Sequence, residues 1–176
     1  MKGCAIVLVE ILSGAAGKVL NGVLGLSSQN TEVYLGKFSF VPHARASIKG
    51  NFHTDSGVYF DNHPHELTLC LYSDEEWVKY RRAMHMGSLC SQRRALASWA
   101  EKVVPRYIQV AGHPPKHDFS FSSHLRLPNN RTHYWFVVIM DCYIEEYDAH
   151  PPPMRYSLSL LNGNSHLPAG ARIGHV

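Results

Sequence analysis

A chain of 176 residues, 45% apolar and only 18% charged, is large enough for one domain and too apolar to stay disordered. Its net charge of +3 is too small to imply a nucleic-acid partner, and no run reaches the roughly 18 apolar residues of a membrane span. These figures exclude a collagen, a coiled coil and a complete multi-span membrane protein.

The chain begins with Lys2, an apolar run from Cys4 to Leu12 interrupted by Glu10, and the small residues Ser13 to Gly17. A basic residue, an apolar run and small residues in that order read as a secretory signal peptide, here residues 1–16 with cleavage after Ala16. Cys70, Cys90 and Cys142 then remain. An odd count in an oxidising compartment predicts one disulfide and one leftover thiol. No Cys-x-x-Cys spacing occurs, so a zinc ribbon is not expected. Asn130-Arg131-Thr132 sits in a polar turn and makes Asn130 a candidate glycosylation site.

Residues 33–40 alternate as a strand does, and 46–53 and 57–60 read as further short strands. Residues 66–72 place Leu67, Leu69 and Leu71 on one face. Ser73 with Glu76 forms a capping box, so a helix starts at Asp74, carries Trp77, Tyr80 and Met84 at helical spacing, and stops at Gly87. A second helix is predicted over Ser91–Lys102, with Leu96, Trp99 and Val103 on one face and Pro105 ending it. Residues 106–118 read as a loop, 119–127 as a half-exposed strand, and the apolar run 133–140 as a central strand. An acidic stretch (Asp141 to Asp148), a proline spacer (Pro151 to Pro153) and a last strand (154–161) follow. The sum is a mainly β fold: an antiparallel β-sandwich with a helical segment inserted at about 74–103.

Three kinds of chemistry are candidates. His63, His65, His113 and His117 could hold a metal, but no acid or cysteine joins them at ligand spacing, so no metal or cofactor is expected. There is no Gly-x-Ser-x-Gly elbow and no phosphate loop, and a non-enzymatic role is expected. Residues 73–106 hold seven cations (Lys79, Arg81, Arg82, Arg93, Arg94, Lys102 and Arg106) against four acids, a difference equal to the whole net charge. Lys79, Arg81, Arg82, Arg93 and Arg94 are therefore the candidate partner surface.

The ordered set Leu71-Tyr72, Glu76-Trp77-Val78-Lys79, Ser88-Leu89-Cys90-Ser91, Tyr134 to Val138, Asp141-Cys142 and Tyr156 to Asn162 resembles the N-terminal luminal domain of the intimal-thickness-related receptor family. Gly17 to Gly22 and Gly36 to Phe40 resemble that family's mature start, so the likeness spans about 17–166. These are GOLD-domain seven-transmembrane proteins, described as receptor-like or as Golgi and trafficking proteins. The resemblance implies a GOLD-like β-sandwich over 17–162, with 163–176 as a linker toward a membrane bundle outside this chain. It also implies a Cys90–Cys142 pair and gives Cys70 no partner. It implies a non-enzymatic recognition or regulatory domain on the extracellular or Golgi-luminal side, membrane-attached in the full protein. The partners would be a protein or peptide ligand and the domain's own bundle, with no nucleic acid. The alternative is a secreted metal- or carbohydrate-binding sandwich, even an enzyme, that uses the four histidines.

Overall fold

The computed structural model describes residues 18–40, 46–54, 59, 65–104, 106–108, 111, 116–125, 133–148 and 150–162. Among these described residues nine strands form two sheets, and their pairings are antiparallel. They are β1 (Lys18–Leu24), β2 (Glu32–Phe40), β3 (Ala46–Thr54), β4 (Leu67–Ser73), β5 (Trp99–Lys102), β6 (Arg106–Ile108), β7 (Lys116–Leu125), β8 (His133–Asp141) and β9 (Met154–Asn162). One sheet runs β1-β9-β3-β7-β6 and the other β2-β8-β4-β5. Among the described residues three helices join them: α1 (Asp74–His85), α2 (Cys90–Arg94) and α3 (Tyr143–Tyr147).

Alternation fixes which side chains face between the sheets. Leu20, Leu24, Ile48, Phe52, Phe119, Leu158 and Leu160 come from the first sheet, and Leu35, Phe38, Leu67, Leu69, Leu71, Trp135, Val137 and Ile139 from the second; all are buried. Where β3 and β9 approach most closely, a Cβ on Gly50 would lie 2.6 Å from the Ser157 carbonyl oxygen, so a larger residue would push the strands apart.

A second core lies outside this sandwich. Cys70, Tyr72, Val138 and Met140 point out of the second sheet and are covered by Tyr80, Cys90 and Cys142, with Trp77, Leu96 and Phe136 packed beside them. The helical segment thus forms a third layer. This explains why β4 is buried along its whole length and why 133–140 is continuously apolar: both central strands have cores on two faces.

The α1 cap differs from the expected box. Ser73 Oγ accepts from the Glu76 N–H at 3.5 Å, but the Glu76 carboxylate reaches the hydroxyls of Ser73 and Ser98 rather than the Ser73 N–H. That N–H donates to Ser98 Oγ at 3.4 Å.

Several expectations are corrected. The helix predicted over Ser91–Lys102 ends at Arg94, and Trp99–Lys102 is edge strand β5. Backbone bonds from Ser98 N–H to Leu71 (3.0 Å) and from Val103 N–H to Leu67 (2.8 Å) lock that segment onto β4. Leu96, Trp99 and Val103 fit helical spacing, but Trp99, Glu101 and Val103 equally fit a period of two, and sheet pairing decides. The loop predicted over 106–118 contains β6 and the start of β7. The strand predicted over 57–60 lies outside the described residues except for Tyr59, whose backbone is helical. β1 was not foreseen as a strand.

Candidate recognition surface

The cysteines set the frame. Cys90, at the start of α2, is bonded to Cys142, just past β8, with α-carbons 5.3 Å apart. The bridge ties the helical layer to the central strand of the second sheet. Cys90 N–H also donates to Glu145 of α3 at 2.8 Å. Cys70 is the free thiol among the described residues, buried among Tyr72 and the aromatic layer, and burial pushes it up to about 12. We expect native protein to leave Cys70 unmodified by iodoacetamide at pH 8 and denatured protein to alkylate it, as read by peptide mass. Modification of the folded chain would contradict its placement.

The predicted partner surface divides. Arg93 is buried: Nε contacts Glu32 of β2 at 3.0 Å, Nη2 donates to Thr31 Oγ1 at 3.1 Å, and Nη1 donates to the Ser88 carbonyl. Its own carbonyl accepts from Tyr72 Oη at 3.0 Å. Arg94 and Lys102 both hold Glu66. Burial raises the Glu66 carboxyl, but these two cations outweigh it and hold the group below its ordinary value. Glu66 therefore stabilises the fold at neutral pH, and that contribution is lost as pH falls through its folded pKa. Arg93 is an internal tie and Arg94 a half-buried one, both engaged by carboxylates of this chain rather than standing free at the surface.

The acidic stretch is likewise engaged. Asp141 is buried and accepts from the N–H groups of Glu66 (2.9 Å) and Tyr143 (3.0 Å), while Asp148 accepts from Ser28 Oγ at 2.5 Å. Burial raises the Asp141 carboxyl, and those two N–H bonds partly offset it.

Lys79, Arg81 and Arg82 remain at the surface. Lys79 reaches Glu76 at 3.9 Å with its side chain 64% exposed, so the contact is worth little. Arg81 and Arg82 have no ion-pair partner among the described residues. Beside them stand exposed Val78, Met84, Met86 and Leu89. α1 buries Tyr80 and turns these groups outward, and Gly87, in a left-handed conformation (φ 69°), ends the helix and exposes the turn. Sequence reasoning found the cations and set Met84 with Trp77 and Tyr80 on the packing face, but Met84 stands exposed; Val78, Met86 and Leu89 were missed, because nothing in the local pattern marks them as a surface.

Of the four histidine candidates, only the His65 side chain is among those described. His63 and His113 lie outside them, as does Asn130. The His117 backbone lies in β7 opposite Thr54, and the His65 ring meets Phe119 edge-on at 6.2 Å. No group of three or more His, Cys, Asp or Glu side chains among the described residues is placed to hold a metal. An open groove of about 380 Å³ is lined by His65, Glu66, Leu67, Lys102, Val103, Val104 and Tyr143. Its carboxylate, Glu66, is already occupied by Arg94 and Lys102.

No protein-family model matches the chain, and no curated protein matches it.

Proposed function

We propose that this chain is a non-enzymatic recognition or regulatory domain of the extracellular or Golgi-luminal space, belonging to a GOLD-domain seven-transmembrane protein of the intimal-thickness-related receptor family. The observation that carries this reading is the outer side of α1 and its following turn. Arg81 and Arg82 stand there without ion-pair partners among the described residues, beside exposed Val78, Met84, Met86 and Leu89. Cations interleaved with exposed apolar side chains make a contact surface that gains from burial and is steered by charge. The Cys90–Cys142 bridge supports an oxidising compartment and braces the layer that presents this surface. The family assignment rests on the sequence resemblance, whose implied cysteine pair is the one that forms.

The experiment places a photo-crosslinking amino acid at position 82 or, on the opposite sheet, at position 49, in chain expressed through the secretory pathway. A discrete adduct is expected from position 82 alone, and Arg81→Glu with Met86→Ser should abolish it. Adducts of equal yield from both positions, or none from position 82, would reject this surface.

A further inference from the structure

The helical layer covers only part of the second sheet's outer face. Val138 and Met140 lie beneath it and are fully buried, but toward the start of β8 the cover ends. Tyr134 is 56% exposed there and Tyr34 on neighbouring β2 is 45% exposed. Phe136 lies between them on the same face. Its ring is 6.4 Å from that of Tyr34, and Trp77 of α1 stacks on it at 4.5 Å with planes 1° apart. Trp77 also meets Tyr34 at 5.4 Å and so fixes the strip from one side.

A bulge builds this face. The β2–β8 register shifts between Tyr34 and Gly36, and Gly36 has φ 153°. Leu35 and Phe38 therefore both enter the core although three residues apart, and Tyr34 and Lys37 both emerge on the outer face. Lys37 Nζ lies 5.1 Å from the centre of the Tyr134 ring. Lys18, from the edge of the other sheet, donates its ammonium to the Lys37 carbonyl at 2.6 Å. Burial and the charge of Lys37 both lower the Lys18 pKa. Neither lysine has a carboxylate partner among the described residues.

Two neighbouring ammonium groups without a counter-charge among the described residues, next to exposed aromatic rings on a sheet face, define a complementary ligand. It carries an anion for the lysines and a face of polarised C–H groups for the negative faces of the rings. The rim of free hydroxyls around such a ring also suits the Tyr34 and Tyr134 hydroxyls, which have no hydrogen-bond partner among the described residues. An extended peptide would instead pair along the edge of β2, and the bulge interrupts that edge. We propose that the Tyr34–Phe136–Tyr134 strip with Lys37 and Lys18 binds an acidic glycan. Sugar rings lie on the tyrosines, and a sulfate or carboxylate meets the ammonium groups. This site is separate from the α1 surface, and either can fail without the other.

Titration of the intact chain with three oligosaccharides tests it: a sulfated heparin octamer, a hyaluronan octamer bearing only carboxylates, and a neutral dextran octamer. At least one acidic sugar should bind, and dextran should bind at least tenfold more weakly. Binding to the heparin octamer alone assigns the anion as sulfate, and to the hyaluronan octamer as carboxylate. Lys37→Gln and Tyr134→Ala should each weaken binding about fivefold, the size of one exposed charge contact or one aromatic contact. Tyr134→Phe keeps the ring and loses only the hydroxyl, so it should weaken binding less than Tyr134→Ala does, which separates loss of stacking from loss of fold. Arg81→Gln with Arg82→Gln should also stay within twofold. The proposal is overturned if no acidic sugar binds, if the α1 pair rather than Lys37 and Tyr134 controls binding, or if a polyglutamate peptide binds as tightly as the sugars.

Discussion

Serine at both Cys90 and Cys142 lowers the unfolding free energy by about 4 kcal/mol, the chain-entropy value for a closed loop of this length. The bridge spans a sequence separation of 52 and joins two elements that otherwise meet through side-chain packing and the Cys90–Glu145 bond. Without it the unfolded chain gains freedom, while the native layer keeps its contacts. Urea unfolding of wild type and the double variant should show a lower midpoint. A loss below about 1 kcal/mol would mean that the helical layer is held by packing alone.

Arg93→Ala costs about as much, 3 to 5 kcal/mol, through a different mechanism. Arg93 and Glu32 each keep only 10% side-chain exposure, and the guanidinium is the ion-pair partner of that carboxylate. Truncation strands Glu32 in the interior between β2 and α2, and frees the Thr31 hydroxyl and the Ser88 carbonyl from their donor. Replacing both partners with apolar residues, Arg93→Met with Glu32→Leu, removes the stranded charge and should recover most of the loss. If the single and double variants are equally unstable, the effect comes from the shape of the site rather than from its charge.

Arg93 also shows where sequence reading stops. In the sequence it is one of seven cations in a basic segment, indistinguishable from Arg81 and Arg82. What separates them is Glu32, 61 positions away, which chain order does not connect to it. The same holds for Glu145 and Asp141, which read as an acidic face and are spent on N–H groups of distant elements. The sandwich itself was legible, because alternation in 33–40, 46–53 and 154–161 and the apolar run 133–140 are local signals. The α1 start was legible for the same reason. β5 was not, because four residues cannot distinguish a period of two from a turn of helix until a partner strand is known. The tyrosine strip was illegible because Tyr34 and Lys37 share a face only through the bulge at Gly36, which shifts the period midway along β2.

We propose a disulfide-braced domain of the secretory lumen, and one measurement addresses both parts directly. The complete chain is expressed in cells with a secretory pathway, membranes are isolated, and the protein is treated with protease and mapped without reduction. Chain protected inside the vesicles, a Cys90–Cys142 linked peptide and an unmodified Cys70 thiol are expected. Chain in the cytosolic fraction with Cys70, Cys90 and Cys142 all free would contradict it.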